Sequence, residues 1–217
     1  MLVAIFSLVL NLAAEKAHGA VALQTMTMKG RIALKPWNEQ RDDKVIKQQL
    51  DYSCGAASLA TILHGFYGLD ISESDILETA GKDAWFSFAD MAQILPRFGY
   101  KGVGLALTLR QLQEIKIPAI VFLRTRAGPH FAVLRGISDD MIWLADPVSG
   151  NQRYPTDTFS RLWETGSNDE RVGTIFLVLP QTNSADSVTN EGFFGQPEPW
   201  SEVSIKMLRN AQRTPYR

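Results

Sequence analysis

The sequence predicts an α+β fold in which helices pack on an antiparallel sheet. Of the 217 residues, 45% are hydrophobic and 21% are charged, which is typical of a globular chain with enough apolar surface to build a core. The candidate helices come first along the chain, and most of the candidate strands follow them. This order favours a helical part packed on an antiparallel sheet over an alternating βαβ arrangement.

Five helices are predicted, and most of them begin at a polar residue that can cap the first turn. Ser72 is followed three residues later by Asp75, a pattern typical of a helix start, and Gly81 provides the stop. Pro96 is expected to disturb the helix that begins at Ser87. The predicted helices cover Ser53 to about Tyr67, Ser72 to Gly81, Ser87 to Gly99, 108–117 and 156–164.

Five strands are also predicted, and two of them are nearly continuous apolar runs. The segments PAIVFLR (118–124) and HFAVLRGI (130–137) have the character expected at the centre of a sheet. Asp139 and Asp140 form a tight-turn pair before MIWLADP (141–147), so this segment should pair with the strand before it as a hairpin. The other predicted strands are KGVGLAL (101–107) and GTIFLVLP (173–180).

The two ends of the chain are predicted to lie outside the folded domain, which we place at 45–180. Residues 1–22 have the features of a secretory signal, because an apolar run of 13 residues, too short to span a bilayer, precedes small residues spaced as at a cleavage site. We therefore expect export to the periplasm, with an uncleaved membrane anchor as the alternative. Residues 23–44 are predicted to be an extended approach segment. Residues 181–217 are predicted to form a polar linker and a tail with a short helix.

The single cysteine, Cys54, stands where a loop turns into the first helix. Structural cysteines of an oxidising compartment come in pairs, so a lone one is a small core residue, an intermolecular crosslink or a reactive thiol. The unpaired N–H groups of a helix start favour a thiolate over a thiol. Gly55 and Ala56 are expected to leave the approach to the sulfur open. These features favour a nucleophilic thiol over a buried apolar cysteine.

His130 is the predicted base for this thiol, selected from three histidines. His18 lies in the predicted signal. His64 follows Cys54 by ten residues on the same helix, and about 15 Å separates such positions. His130 begins a predicted strand and should therefore lie at an edge of the sheet, where a site can form. The alternative is an ordinary surface histidine.

Asp146 and Gln48 complete the candidate site. The predicted hairpin brings Asp146 within a few residues of the position opposite His130, where a carboxylate can orient the imidazole. The alternative role of Asp146 is to cap the turn in DPVSG. Attack on a carbonyl builds negative charge on oxygen, and a side-chain amide near the thiol can stabilise that charge. Gln48, six residues before Cys54, and Gln49, five before it, are both candidates on spacing alone.

Taken together, these residues resemble the peptidase C39 family of papain-like cysteine peptidases. The resemblance rests on QQLDYSCGAASLATIL, on PAIVFL followed by HFAVLRGI, and on WLADPVSG, and it covers about residues 45–180. It implies a papain-like peptidase fold and peptide-bond hydrolysis through a thioester acyl-enzyme, often after a Gly-Gly pair. Carried over by motif, the roles are nucleophile for Cys54, base and then acid for His130, orienting residue for Asp146 and oxyanion donor for Gln48.

The resemblance also implies partners and a location. Many C39 domains belong to ABC exporters, but this sequence has no nucleotide-binding motif, so neither ATP nor any other cofactor or metal is expected. A formal net charge of -1 argues against nucleic acid as a partner. The chain is more similar to stand-alone periplasmic members, among them the protease of bacterial functional-amyloid systems, which implies secretion or amyloid-assembly components as partners. The implied substrate is a protein or peptide with a Gly-rich or double-glycine segment. Ser53 stands before Cys54, where exporter domains usually have Asp, so their substrate rules need not transfer.

Three alternatives stay open at this point. The same fold could hold a peptide without cutting it, although all four candidate residues are present. A transglutaminase-like transfer of an acyl group to an amine would use the same Cys, His and Asp. A zinc site at those three residues is the least favoured alternative, because they are widely separated and no fourth ligand is evident. Trp85, Phe86 and Phe88 are candidates for the lining of a substrate cleft, with core packing as the competing role.

Overall fold

The structure is a computed structural model that describes residues 19–24, 29–34, 36–164, 172–181 and 191–194. The chain divides into two units, residues 1–39 and 40–217. In the first unit, an antiparallel hairpin is formed by β1 (Gly19–Gln24) and β2 (Lys29–Leu34). Most of the predicted signal, residues 1–18, lies outside the described residues. Within the described ranges, no helix combines the length and the apolar character needed to cross a membrane.

The remaining elements follow the predicted order of helices first and antiparallel strands second. A short helix, α1 (Trp37–Arg41), lies at the boundary between the units. The other helices are α2 (Cys54–Gly65), α3 (Glu73–Ala80), α4 (Phe88–Ile94), α5 (Leu109–Gln113) and α6 (Thr156–Trp163), with 3-10 turns at Leu95–Phe98 and Glu191–Phe194. The strands are β3 (Tyr100–Leu107), β4 (Ala119–Thr125), β5 (Gly128–Ile137), β6 (Met141–Asp146), β7 (Gly150–Pro155) and β8 (Gly173–Pro180).

The starts of α3 and α4 depend on side-chain caps, of which the sequence predicts the one at Ser72. Ser72 Oγ accepts the N–H of Asp75, and the Asp75 carboxylate accepts the N–H of Ser72, so two donors at the start of α3 are satisfied. Ser87 and Asp90 make the same pair of bonds before α4. Gly81 ends α3 with a φ of 58°, a left-handed conformation that glycine adopts without steric cost.

The sheet has six antiparallel strands in the order β3-β8-β4-β5-β6-β7. On one face, α2 packs against β5, and the core between them includes Leu59 and Val133. On the other face, α6 packs against β4, and Trp163 and Val121 belong to that second core. Because β4 and β5 are covered on both faces, their sequences are nearly continuous apolar runs instead of alternating ones.

Two regions contain strands that the sequence analysis did not predict. The segment 150–155 forms β7, an edge strand whose residues are mostly polar and only partly buried. Such a strand lacks the apolar alternation by which strands are recognised. The hairpin of β1 and β2 overlaps the end of the predicted signal and occupies part of the predicted approach segment 23–44. The sequence of this hairpin likewise has no clear period of apolar residues.

The segment 191–194 is not the polar linker that the sequence predicted. Phe193 is 0% exposed, and a Cβ on Gly65 would lie 2.7 Å from its Cε2 atom. The guanidinium of Arg135 lies 4.8 Å from the Phe193 ring centroid, and its Nε donates to Phe193 O at 2.9 Å. This short apolar stretch therefore belongs to the core. The terminal helix predicted within 181–217 lies outside the described residues.

Candidate active site

Cys54 is the first residue of α2, and its side chain is buried. It is only 2% exposed, so the expectation that its small neighbours leave the sulfur open is wrong. The glycine that follows instead permits close packing, because a Cβ on Gly55 would lie 2.7 Å from Phe86 Cβ and 2.8 Å from Met91 Cε. The start of α2 is therefore pressed against the loop and the helix that carry these two side chains.

His130 and Asp146 are joined by a hydrogen bond of 2.8 Å between Nε2 and Oδ2. Their side chains are 15% and 8% exposed. The second carboxylate oxygen of Asp146 accepts the N–H of Val148 and the N–H of Ser149, each at 2.8 Å. The two roles that the sequence left open for Asp146 are thus combined, since it contacts the imidazole and also caps the following turn.

A shift in the β5–β6 ladder places these two side chains on one face of the sheet. The register changes at Arg135, which is an extra residue on β5. Beyond it Val133 pairs with Ala145, and continuing the ladder by one step brings Asp146 to the face that His130 shares. If Arg135 were instead paired in a regular ladder, Asp146 would lie opposite Val133, on the face that His130 does not share, because side chains alternate along a strand.

The surroundings of His130 favour the protonated ring. Burial opposes the charge, but the hydrogen bond with Asp146, the nearby Cys54 side chain and the charges of both groups outweigh it and raise the pKa of His130 to about 9. Because Nε2 is bonded to Asp146, Nδ1 is the nitrogen left for the thiol. The imidazole thus lies between a carboxylate and a sulfur, an arrangement that can activate a thiol nucleophile.

The carboxyl of Asp146 is held in its ionised form. Burial would raise its pKa, but the hydrogen bond and the charge of His130, with the N–H groups of Ser149 and Val148, lower the pKa of Asp146 below its usual value. An ionised carboxylate at this distance keeps the proton on Nε2 of the imidazole and fixes the orientation of the ring.

Gln48 lies in the loop before α2 and contacts the segment after Asp146. Its N–H donates to Pro147 O at 3.0 Å, and its side-chain Nε2 donates to Leu50 O at 2.9 Å. Its Oε1 atom is buried and has no hydrogen-bond partner within the part of the chain that the structure describes. A side-chain amide carries two N–H bonds on its nitrogen, so one donor is left after the bond to Leu50. The other candidate, Gln49, is exposed.

An apolar cleft of about 610 Å³ lies close to the start of α2, where its lining residues Phe86 and Phe131 approach Gly55. Its lining includes Pro129 and Phe131, which flank His130 in the chain. The three aromatic residues expected to line a cleft are present there, together with Phe122. They differ in exposure, since Trp85 is 53% exposed whereas Phe86 is 3% exposed and belongs to the core. Cleft lining and core packing are therefore combined in this region.

The sequence analysis did not identify Glu73, a buried acid near the site. Glu73 accepts the N–H of Gln49, but an acid in the first turn of a helix is so common that nothing in the sequence distinguishes it. His64, which the helix geometry excluded as the base, is exposed, and its Nδ1 lies 2.9 Å from Leu69 O. Among the described residues, no group of three or more His, Cys, Asp or Glu is arranged to hold a metal ion.

The family of this chain follows from comparison with known proteins. Residues 42–167, more than half of the chain, match the peptidase C39 family. The chain belongs to the peptidase C39 family. This confirms the family resemblance that the sequence motifs indicate.

Two similar curated relatives of this C39 chain carry the name "Probable functional amyloid protease FapD". The one from Pseudomonas aeruginosa is 32% identical over 155 residues, which are 66% of this chain and 63% of the relative. The one from Pseudomonas fluorescens is 34% identical over 149 residues, 65% of this chain and 62% of the relative. The chain thus spans less than two thirds of the length of these relatives.

A solved structure with a similar fold is described as a double glycine motif protease from an AMS/PCAT transporter in complex with the leader peptide. The likeness has a TM-score of 0.51 at 23% identity and covers 63% of this C39 chain and 90% of the solved one. At this identity the likeness concerns the fold. It confirms the predicted α+β, papain-like peptidase fold.

Proposed function

We propose that the protein is an exported endopeptidase that cleaves a partner protein after Gly-Gly or similarly small residues, through a thioester on Cys54. The observation that carries the proposal is the position of His130, which is hydrogen-bonded to Asp146 and also interacts with Cys54. A base that is bonded to an orienting carboxylate and lies near a thiol is what nucleophilic thiol catalysis requires.

In this mechanism the proton that Cys54 gives up lies on Nδ1 of His130, and the sulfur attacks the scissile carbonyl. The C–N bond breaks, His130 returns the proton to the leaving amine, and a thioester remains on Cys54. Water that is deprotonated by His130 then attacks the thioester, which releases the new carboxyl terminus and restores the thiol. Asp146 keeps Nε2 protonated throughout. The remaining N–H of the Gln48 amide donates to the oxyanion in both tetrahedral intermediates.

Restricted access to the sulfur supports small residues at the cleavage site. Because Cys54 is 2% exposed, a substrate backbone must come very close to neighbouring atoms, and glycine does so without a Cβ to clash. The apolar cleft lined by Phe86 and Phe131 suits an apolar segment elsewhere on the same substrate. The double glycine motif named for the solved neighbour supports the same class of substrate.

A role in the secretion or assembly of a functional amyloid, as in a biofilm, has two supports. Residues 1–22 have the pattern of a secretory signal, which would take the protein to the periplasm. The curated relatives from two Pseudomonas species are named as proteases of a functional amyloid. An amyloid subunit, or a component that exports it, is therefore the proposed partner.

The proposal is tested by comparing the termini of exported proteins from cells that carry different forms of the enzyme. Mass spectrometry should find at least one exported protein that is cut after a small residue in wild-type cells and left intact in cells carrying Cys54→Ala. Two histidine variants form a matched pair. His130→Gln should also leave this protein intact, whereas His64→Gln, on the exposed face of α2, should process it normally.

Identical termini in the wild-type and Cys54→Ala cells would refute the proposal. Equal losses in the two histidine variants would refute the assignment of His130 as the base. If added primary amines became joined to the cleaved carbonyl in preference to water, the reaction would be acyl transfer and not hydrolysis.

A further inference from the structure

Glu73 is a buried carboxylate that the proposed mechanism does not use. It is 2% exposed and is the first residue of α3. Among the described residues, no ion pair includes it. The helix N-terminus favours negative charge at this position, yet burial of a carboxylate without a cation remains costly. Such a group needs a compensating interaction.

That interaction is with the loop that carries Gln48. The N–H of Gln49 donates to both carboxylate oxygens of Glu73, each at 3.1 Å. The N–H of Gln48 itself donates to Pro147 O at 3.0 Å. The backbone on the two sides of the Gln48 α-carbon is therefore held by α3 and by the turn after Asp146. A hydrogen bond to an ionised acceptor is roughly twice as strong as one between neutral groups.

The direction of the Gln48 amide depends on this backbone. Its Nε2 donates to Leu50 O at 2.9 Å, and the same carbonyl accepts from Ser53 Oγ at 2.7 Å and from Ser53 N at 3.2 Å. Gln49 lies between Gln48 and Leu50, so its N–H fixes the peptide that connects the amide to its acceptor. Because Ser53 holds Leu50 O, rotation of this peptide would move the Gln48 side chain relative to that acceptor, and the amide would lose its fixed direction.

We propose that Glu73 is a positioning residue, which aims the Gln48 amide at the oxyanion by holding the N–H of Gln49. The inference rests on the proposed peptidase mechanism and on the role of Gln48 within it. Glu73 acts through the loop, and no contact with substrate or sulfur is required of it. Misplacement of an oriented group by about 1 Å can cost about a hundredfold in rate, so a loop tether of this kind is catalytically significant.

The test compares Glu73→Ala with Glu73→Gln and with Glu78→Ala, which removes an exposed acid from the same helix. The probe is p-nitrophenyl acetate. The sulfur of Cys54 attacks its carbonyl, a tetrahedral oxyanion forms, and p-nitrophenolate leaves as the acetyl thioester is made. Alkylation by iodoacetamide is measured in parallel, because displacement of iodide at a saturated carbon builds no oxyanion. Cys54→Ala supplies the background for both reactions.

We expect Glu73→Ala to slow acylation about tenfold to a hundredfold, below the loss of about 10²–10³ caused by removing an oxyanion donor outright. Alkylation should stay within about twofold, since it needs no such donor. Glu73→Gln keeps an oxygen that can accept from Gln49, so it and Glu78→Ala should retain acylation within about threefold. In a Gln48→Ala background, adding Glu73→Ala should change acylation by less than about twofold, because the positioned donor is absent.

Unchanged acylation in Glu73→Ala would overturn the inference. The inference would also be overturned if Glu73→Ala slowed acylation in the Gln48→Ala background as much as it does in the native protein. A fall of acylation and alkylation by the same factor in Glu73→Ala would overturn it as well. Both results would indicate a general structural role for Glu73. Failure of the proposed function has a different signature. In that case wild-type acylation would not exceed the Cys54→Ala background, whatever the residue at position 73.

Discussion

Asp146→Asn tests whether the carboxylate sets the charge of the imidazole. The Oδ1 atom of the asparagine can replace that of Asp146, which accepts the N–H of Val148 and of Ser149 at 2.8 Å each. The amide NH₂ would then face His130 Nε2, where the native protein has an acceptor at 2.8 Å. Two donors cannot share one contact, so the ring would have to present an unprotonated Nε2.

The expected change is large because the native pKa of His130 is about 9, against an ordinary value of 6.5. Without the carboxylate, burial still opposes the charged ring. Of the two groups that stabilise this charge in the native protein, Cys54 remains. We expect the pKa of His130 to fall to about 6.5 or lower. The difference of about 2.5 corresponds to about 3 kcal/mol of lost preference for the imidazolium form.

The assay is an NMR titration of protein labelled at histidine Cε1, with the His130 resonance assigned by its loss in His130→Gln. Asp139→Asn is the matched control, because it removes an exposed charge from the β5–β6 turn, and it should leave the pKa of His130 at about 9. A pKa of His130 that stays at about 9 in Asp146→Asn would refute the reasoning. The carboxylate would then be a turn cap without influence on the ring.

Three further predictions concern the nucleophile, the pH dependence of stability and the buried segment near the carboxyl end. Cys54→Ala should retain the circular dichroism spectrum and lose acylation by p-nitrophenyl acetate; acylation at the native rate would place the nucleophile elsewhere. Because folding raises the pKa of His130 from 6.5 to about 9, its stabilisation is complete below about pH 6.5 and is lost as the pH rises through about 9. Urea titrations should show that the free energy of unfolding falls by up to about 3 kcal/mol over this pH window, and that this fall is absent in His130→Ala. The same pH dependence in both proteins would contradict the pKa shift. Phe193→Ala should lower the free energy of unfolding by about 3–5 kcal/mol, and a loss below about 1 kcal/mol would show that the ring is not part of the core.

Much of the fold could be predicted because its signals are local. The caps at Ser72 and Ser87 involve partners only three residues away, so they are visible in a short window of sequence. β7 could not be predicted, because its pairing is set by β6 and not by any pattern of its own. Phe193 was missed for the same reason, since its neighbours Gly65 and Arg135 are distant in the chain.

The candidate site could be named because the sequence offers few groups with the necessary chemistry. One cysteine and three histidines leave a single plausible pair once the predicted signal removes His18 and helix geometry removes His64. Two features lay beyond sequence reasoning. The extra residue at Arg135, which brings Asp146 and His130 to one face, depends on pairing between strands. The hydrogen bond between Glu73 and the loop that carries Gln48 depends on how α3 packs against that loop.

The rate at which iodoacetamide alkylates Cys54 tests the central claim most directly, since it reports whether the imidazole acts on the sulfur. At pH 7 we expect His130→Ala to react at least about tenfold more slowly than the native protein, because the sulfur loses the base that takes its proton. His64→Ala should react at the native rate. Equal rates in all three proteins would contradict the account, because Cys54 would then be a buried apolar residue and not a nucleophile.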